Sequence, residues 1–465
     1  MDWTDYVTWC KEIAHWGKTY HHDIRNFPVR AQCQPGDIVR QLPQTPPETG
    51  EAMGAIMADM DTIILPGMTH WQHPRFFAYF PSNAAPPSML AEMLANTMGA
   101  QCMLWQTSPA ATELEGLMVQ WLRQALGLSD HFSGVIQDSA SSSTLSAVLT
   151  MREIATGFKG NRDGLSDKGA LRIYCSVEAH SSIDRACWVA GIGQNNLVKI
   201  PTIGKNYSMD GNALRQAISA DRAAGHIPAG IIAIIGGTGI GACDNLTEIA
   251  KIAKSEGLYT HLDAAWAGAA MICPAYRASF WQGADAFDSI VFNPHKWLGM
   301  QSDCSIQFLA DPQAQRNTLK MEPEYLKTSG AEVTNYSEWT IPLGRRFRAL
   351  KIWFMMRYYG LETLREMITN HVTWAEELCE MIRIKQGFEI VTEPMLSLFT
   401  FRCPGDDEMQ QKLVDALNDD GRLYLTQGMY QTRKVIRFQV GQFQTTRDDV
   451  LSASTIIDEI YASLR

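Results

Sequence analysis

The chain has no excess of positive charge: 40 lysines and arginines stand against 50 aspartates and glutamates, a formal net charge of −10. Such a balance offers no general attraction to nucleic acid or anionic lipid, so any ligand must be recognised locally. Ten cysteines are scattered singly from Cys10 to Cys403, with no C-x-x-C and no close Cys/His cluster. That pattern excludes a zinc finger and a disulfide framework, so the thiols read as reduced and mostly buried, and no metal is expected. Long apolar runs are also missing. The uncharged stretch 227–243 is too short for a membrane span and is broken by Pro228 and several glycines. Asp2, Asp5 and Lys11 leave no apolar core for a signal peptide, and the arginine bias of a transit peptide is missing, so a cytoplasmic protein without membrane contact is expected. No internal repeat is apparent, and the short proline-rich patch from Leu42 to Pro47 reads as a surface loop.

What is present is a globular composition, 46% apolar and 19% charged over 465 residues, enough to bury a large core. The first 70 residues read as helices carrying Trp3, Trp9 and Trp16, a proline-containing connector, and a further helical stretch near Glu51 to Ile64. The tryptophan spacing reads as a helix packing face. From about Gly134 the pattern changes to short β-rich apolar runs separated by helical segments: Gly134–Gln137, Leu171–Val177, Leu197–Ile200, Ile231–Ile235, Leu258–Asp263, Ser289–Phe292 and Ser305–Leu309. That alternation predicts an α/β fold around a mostly parallel, helix-covered sheet. After Gly344 a long helix, Arg345–Tyr359, leads into a smaller α+β region with strand candidates at Glu389–Thr392, Ser397–Phe401 and Val435–Val440.

Ligands of an open parallel sheet sit beyond the carboxyl ends of its strands, so polar residues that follow apolar runs are the candidates for chemistry. The run ending at Gln137 passes into Asp138-Ser139-Ala140-Ser141-Ser142-Ser143 and then a helix, and small hydroxyl residues at a helix amino terminus suit a phosphate. The second run delivers His180, the fourth ends at Thr238, and the fifth ends in Asp263 before Ala264-Ala265-Trp266. The sixth runs into Asn293-Pro294-His295-Lys296-Trp297, where a partly desolvated lysine would favour imine formation with a carbonyl. Taken singly, these have ordinary readings as an N-cap, a core histidine or a buried ion pair. Together, phosphate cradle, carboxylate, imidazole and imine-forming lysine are the parts needed to hold pyridoxal 5′-phosphate. Asp263 and Lys296 are about one strand–helix–strand unit apart and can share one sheet edge.

A competing pattern is Gly237-Thr238-Gly239-Ile240-Gly241-Ala242, which fits G-x-G-x-x-A after a strand with an acid at the end of the next. The helix after it is expected to begin only at Asp244 or Asn245, beyond the glycines, whereas a dinucleotide site needs the last small residue inside the helix start. It also leaves Lys296, His180 and the Ser139 turn without a task.

At Asn293–Trp297 and His261-Leu262-Asp263-Ala264-Ala265-Trp266-Ala267-Gly268 the chain resembles the group II pyridoxal-phosphate amino-acid decarboxylases, in particular the aromatic-L-amino-acid decarboxylase branch. Further matches are His70–Pro74, Phe77–Ser82, Ser108–Glu115, Ser139–Ser141, Ala179–Ser182 and Ile341–Arg348, so the resemblance runs nearly end to end. It implies the fold type I architecture of pyridoxal-phosphate-dependent transferases, with a seven-stranded sheet. The implied domains are a helical dimerisation segment at 1–80, a large cofactor-binding domain at 81–345 and a small carboxy-terminal domain at 346–465.

Residue by residue, the resemblance implies Lys296 as the lysine joined to the cofactor, Asp263 as partner of the pyridinium nitrogen, His180 stacked on one face of the ring and Ala265 packed on the other. Ser139, Ala140, Thr238, Asn293 and His295 would hold the phosphate or orient the substrate carboxylate. Trp71, Tyr79, Phe80, Ser82, Gln101 and Met103, with His180, would meet the substrate. Tyr325 matches the tyrosine that protonates the substrate carbon after CO₂ leaves. The Gln101–Trp105 stretch departs from the apolar residues of the animal enzymes, and Asp138 replaces a small residue. The implied activity is decarboxylation of an aromatic L-amino acid (tyrosine, DOPA, tryptophan or phenylalanine) by a homodimer with a shared active site. Alternatives are a non-aromatic substrate, aldehyde formation or transamination on the same fold, and, from a different class, a binding protein without activity.

Overall fold

The computed structural model describes residues 1–321 and 333–465. The chain divides into two compact units, one of Ser82–Val372 with Pro394–Leu398, the other of Met1–Pro81, Thr373–Glu393 and Phe399–Arg465.

The first unit is built on a seven-stranded sheet: β1 (Ser133–Gln137), β2 (Leu171–Ser176), β3 (Leu197–Ile200), β4 (Ile227–Ile234), β5 (Tyr259–Asp263), β6 (Ser289–Phe292) and β7 (Ser305–Leu309), in the order β1-β7-β6-β5-β4-β2-β3. β3, β2, β4, β5 and β6 run parallel, and β7 is antiparallel to both β1 and β6. Strands covered by helices on both faces have no solvent side, which is why they read as continuous apolar runs rather than alternating ones. β4 begins four residues earlier than its apolar run implies: Pro228 sits near the strand's start beside a bulge at Ala229, where a missing N–H is tolerated. Helix α4 (Ala140–Ala155) lies over the sheet, with Val148 and Met151 packed on Ile173, Cys175 and Ile232. The unit also contains α2 (Pro86–Met98), α3 (Pro109–Leu126), α5 (Ser182–Val189) and α6 (Leu246–Glu256).

The long helical stretch, α7 (Ala349–Arg383), is interrupted at Gly360 and begins four residues later than the sequence suggests. Residues 345–348 are spent on other bonds: Arg345 donates its N–H to Gln101 Oε1 at 2.7 Å and its guanidinium to Glu115, while Arg348 grips Asp303. Arg346 pairs with Glu92, so each of the three arginines has a carboxylate partner.

In the second unit, α1 (Trp3–Asp23) precedes a four-stranded sheet of β8 (Glu389–Met395), β9 (Leu398–Arg402), β10 (Thr426–Tyr430) and β11 (Arg433–Gln439), in the order β8-β9-β11-β10. Phe399, Phe401, Leu413, Ile436, Phe438 and Val450 form its core. β10 had no apolar signature to find, since it is an edge strand with no buried residue and Gly428 at its centre. The segment 70–80 is fastened to β11 and its neighbours: Phe77 stacks on Phe438 at 4.3 Å between ring centres, and Gln439 N donates to Phe77 O. Tyr79 is held at φ 49°, costly for a bulky residue, and the buried Arg437 guanidinium donates to its carbonyl at 2.5 Å. Trp71 stacks on both Phe76 and Tyr79. α1 buries none of its residues, and Trp3 is 76% exposed.

Candidate active site

The carboxyl ends of β1, β2, β4, β5 and β6 deliver their polar residues to one cavity of about 220 Å³, walled by Ser139, Ala140, Ser141, His180, Ser182, Gly236, Thr238, Asp263, Ala265, Trp266, Asn293 and Lys296. The geometry follows from the local chain. Ser139 caps α4, its hydroxyl accepting from Ser142 N, which leaves the first-turn amides at the cavity. Asp263 is 8% exposed at the end of β5, and its Oδ1 accepts from Ala265 N at 3.0 Å. Beyond β6 the chain turns tightly: Asn293 N donates to Ala265 O, Lys296 N to Asn293 O, and Asn83 Nδ2 to Lys296 O at 2.6 Å.

Of the residues expected to bind the cofactor, Ser139, Ala140, Thr238, Asp263, Ala265, Asn293 and Lys296 line this cavity, as does His180; His295 does not. Ser82, Gln101 and Met103 are not among the lining residues either. Gln101 is engaged with Arg345 N and Met103 O accepts from Ser337 N. Trp71, Tyr79 and Phe80 belong to the other compact unit. Tyr325 lies outside the described residues. Sequence reasoning missed Asn83, Ser182 and Trp266. Ser182 and Trp266 sat inside motifs already singled out, but Asn83 carried no signal, because its partner Lys296 is 213 residues away.

His180 Nδ1 accepts from the Ser182 backbone N–H at 3.1 Å, which leaves the ring proton on Nε2. Burial and the Lys296 ammonium hold its pKa below the ordinary imidazole value against the pull of Asp263, so the ring is neutral at pH 7. Next to Lys296, the fully buried Trp297 donates its indole N–H to His371 Nδ1 at 3.0 Å, and Trp266 donates to Gly236 O at 2.6 Å. Burial pushes His371 down to about 3.

Because the unfolded histidine titrates near 6.5, the unfolded state binds more protons than the folded one at any pH between about 3 and 6.5. The His371 contribution is therefore intact above 6.5 and falls with pH by up to about 1.4 kcal/mol per unit. Urea unfolding of the wild type and of His371→Gln is expected to show a stability gap that narrows at this rate between pH 6 and 4.5. Parallel profiles would remove His371 as the neutral acceptor.

The glycine-rich turn is not a dinucleotide site. Gly241 N bonds back to Gly237 O and Gly236 N to Ala242 O, a closed turn, and α6 starts only at Leu246 with Asn245 as its N-cap. The donor set suits a different group. Helix α4 directs amides at the cavity, and a carboxylate and an amine stand at adjacent strand ends. These are the requirements of a phosphorylated, cationic aromatic aldehyde.

Fold and site together define a pyridoxal-phosphate enzyme. The pyridoxal-dependent decarboxylase conserved domain matches residues 35–404, and the chain belongs to that family. It is 38% identical over 460 residues to phenylacetaldehyde synthase of Arabidopsis thaliana, covering 95% of this chain and 92% of the relative. It is also 38% identical over 457 residues to aromatic-L-amino-acid decarboxylase of Mus musculus, with 95% and 94% covered. The crystal structure of Oryza sativa TDC with PLP and tryptamine superposes with a TM-score of 0.96 at 31% identity, covering 100% of this chain and 99% of that one. The cofactor of the present chain is pyridoxal 5′-phosphate and its chemistry that of a carboxy-lyase. Among the described residues no helix is long and apolar enough to cross a membrane, and no cluster of His, Cys, Asp and Glu could hold a metal ion.

Proposed function

We propose that the protein decarboxylates an aromatic L-amino acid to the corresponding amine and CO₂. The observation that carries this is the convergence of Lys296, Asp263, His180 and the Ser139 turn on one cavity, in a chain similar over more than nine-tenths of its length to enzymes named for aromatic amino acids. When bound, pyridoxal phosphate supplies an electron sink for the pair left behind by departing CO₂. The chain supplies the rest. Lys296 would provide the amine that holds the cofactor, Asp263 would face its ring nitrogen as a carboxylate that favours a proton there, and His180 and Ala265 would flank its ring. Ser139, Ala140, Thr238, Asn293 and His295 would hold the phosphate or orient the substrate carboxylate, and Tyr325 would return a proton to the substrate carbon.

On the same reading, Trp71, Tyr79, Phe80, Ser82, Gln101 and Met103 meet the substrate. The domain at 81–345 carries the cofactor, 1–80 serves dimerisation and 346–465 forms the small domain. The active assembly is a cytoplasmic homodimer with shared active sites. The exposed apolar side chains of α1 (Trp3, Val7 and Ile13) and of α2 (Leu90, Leu94 and Met98) support a second copy as their cover. Gly344, where an added Cβ would stand 3.3 Å from the Gln101 amide, keeps that neighbourhood free of a side chain, which favours acceptance of an indole.

The test is a panel of L-amino acids assayed for CO₂ and amine against aldehyde and peroxide. Amine and CO₂ from an aromatic member are expected, and keto acid in place of amine would mean transamination. A second reading, aldehyde formation, is favoured by the similarity to phenylacetaldehyde synthase. Tyr325 and His180 argue for the amine, and Tyr325→Phe is expected to shift the product toward aldehyde and peroxide; unchanged amine-only output would remove Tyr325 from that role.

A further inference from the structure

Asn83 stands 213 residues before Lys296 in the chain and against its backbone in the fold. It is 1% exposed and makes two bonds to the turn that carries the lysine. Its backbone N–H donates to His295 O at 3.2 Å, and its side-chain Nδ2 donates to Lys296 O at 2.6 Å. A carbonyl only accepts, so the side-chain amide is oriented with its NH₂ on Lys296. The two acceptors belong to successive peptide groups, one on each side of the Lys296 Cα. A peptide group is planar, so holding the plane before and the plane after one Cα holds its φ and ψ, and with them the direction of its Cα–Cβ bond. The plane before carries a further bond, from Lys296 N to Asn293 O at 3.0 Å.

Asn83 is itself firmly held. It lies just before Pro86, where α2 begins, and the same segment is tied twice more to the far end of the lysine turn. Ala85 N donates to Gly299 O at 2.8 Å, and the fully buried Ser88 accepts at Oγ from Gln301 N at 2.6 Å. The amide is therefore borne on a stapled helix start rather than on a free loop, the kind of support that keeps a reacting group in place. Lysine needs such support more than a short side chain does, because its amine sits at the end of four methylenes. A tilt of about 10° at the root carries the amine about 1 Å, and a displacement of that size can cost roughly 100-fold in rate.

We propose that Asn83 is a positioning residue for Lys296: by tying down the peptide groups on both sides of the lysine it aims the ε-amine at the aldehyde carbon of the cofactor, and so sets how readily the two join. In that joining the Nζ lone pair makes a C=N bond to the aldehyde carbon, and the two amine protons leave with the aldehyde oxygen as water. This rests on the reading of Lys296 as the cofactor-bearing lysine. Aim and pocket shape are separable. A lost aim harms only what passes through the lysine amine, whereas a lost shape harms every ligand of the cavity.

The experiment places Asn83→Leu, which keeps the bulk and removes the donor, and Asn83→Asp, read at pH 8 where a carboxylate presents only acceptors, in the wild type and in Lys296→Ala. Both keep the backbone bond to His295 O, and either one, folded, suffices. Amide hydrogen exchange of the apoenzyme over 295–297 reports the clamp. Growth of the visible band after adding pyridoxal phosphate, its dissociation constant, and kcat with KM report the aim. With Lys296 present, exchange is expected to quicken, the band to grow roughly 10–100-fold more slowly and the cofactor to bind roughly tenfold more weakly. The same variants are expected to lose roughly 10–100-fold in kcat with KM within about threefold. In the Lys296→Ala background the dissociation constant is expected to be the same with and without the Asn83 substitution, because no amine is left to aim. Equal loss of affinity in both backgrounds, unchanged band growth and kcat, or failure of both variants to fold overturns the proposal and makes Asn83 a residue of the architecture. Failure of the underlying reading looks different: Lys296→Ala by itself would then keep the cofactor absorbance of the wild type.

Discussion

Replacement of Lys296 by Ala is expected to lower kcat by at least about 10³-fold while leaving the fold intact. The size follows from losing both the amine that joins the cofactor and a positioned proton-transfer group, since general acid–base help alone is worth about 10²–10⁴-fold. The intact fold follows from how the residue is held. Its backbone N–H donates to Asn293 O and its carbonyl accepts from Asn83 Nδ2, bonds that do not involve the side chain and persist in alanine. Trp297 and His371, on the far side of the turn, are likewise untouched. The variant should therefore melt within a few degrees of the wild type and still bind pyridoxal phosphate through the α4 amino terminus and Asn293. It should lack the visible absorbance of cofactor joined to lysine. Activity within tenfold of the wild type, or a retained band, would contradict the assignment of Lys296.

What could be read in the sequence was what is local. The seven large-sheet strands announced themselves because both faces are buried, so each is a short apolar run. The polar residues that follow five of these runs then fell at the sheet's carboxyl edge, as with Asp263 and Lys296. The glycine-rich turn could be discounted because the helix start is itself a local signal, the Asn245 cap. What stayed hidden depends on distant partners. Nothing near Asn83 betrays that its amide holds Lys296 O, and nothing near His371 betrays an indole 74 residues away. Asp138 could not be understood for the same reason. Its Oδ1 is buried without a hydrogen-bond partner among the described residues, and its charge acts on Arg348. The delayed start of α7 also has a distant cause, since Arg345 and Arg348 serve Glu115 and Asp303 before the helix begins.

Asp263→Asn is expected to reduce kcat by about 10²–10³-fold with little change in KM, the signature of an interaction that matters only as charge develops. The substitution is nearly isosteric in a position only 8% exposed, so packing is preserved and Oδ1 can still accept from Ala265 N at 3.0 Å. That bond fixes the orientation of the amide. With Oδ1 facing Ala265, the other group presented to the cavity is an NH₂, which can only donate. A donor facing the ring nitrogen favours its unprotonated form, the opposite of what a carboxylate does, and an uncharged ring is a much poorer acceptor of electrons from a breaking Cα–carboxylate bond. The cofactor should bind nonetheless, because Lys296 and the phosphate cradle are unchanged. A cofactor methylated at the ring nitrogen is cationic without any partner, so it should restore much of the activity of Asp263→Asn while doing little for the wild type. Equal activity of the two proteins with ordinary cofactor would show that Asp263 does not face the ring nitrogen. Loss that the methylated cofactor fails to repair would assign the carboxylate to the architecture of the turn through Ala265.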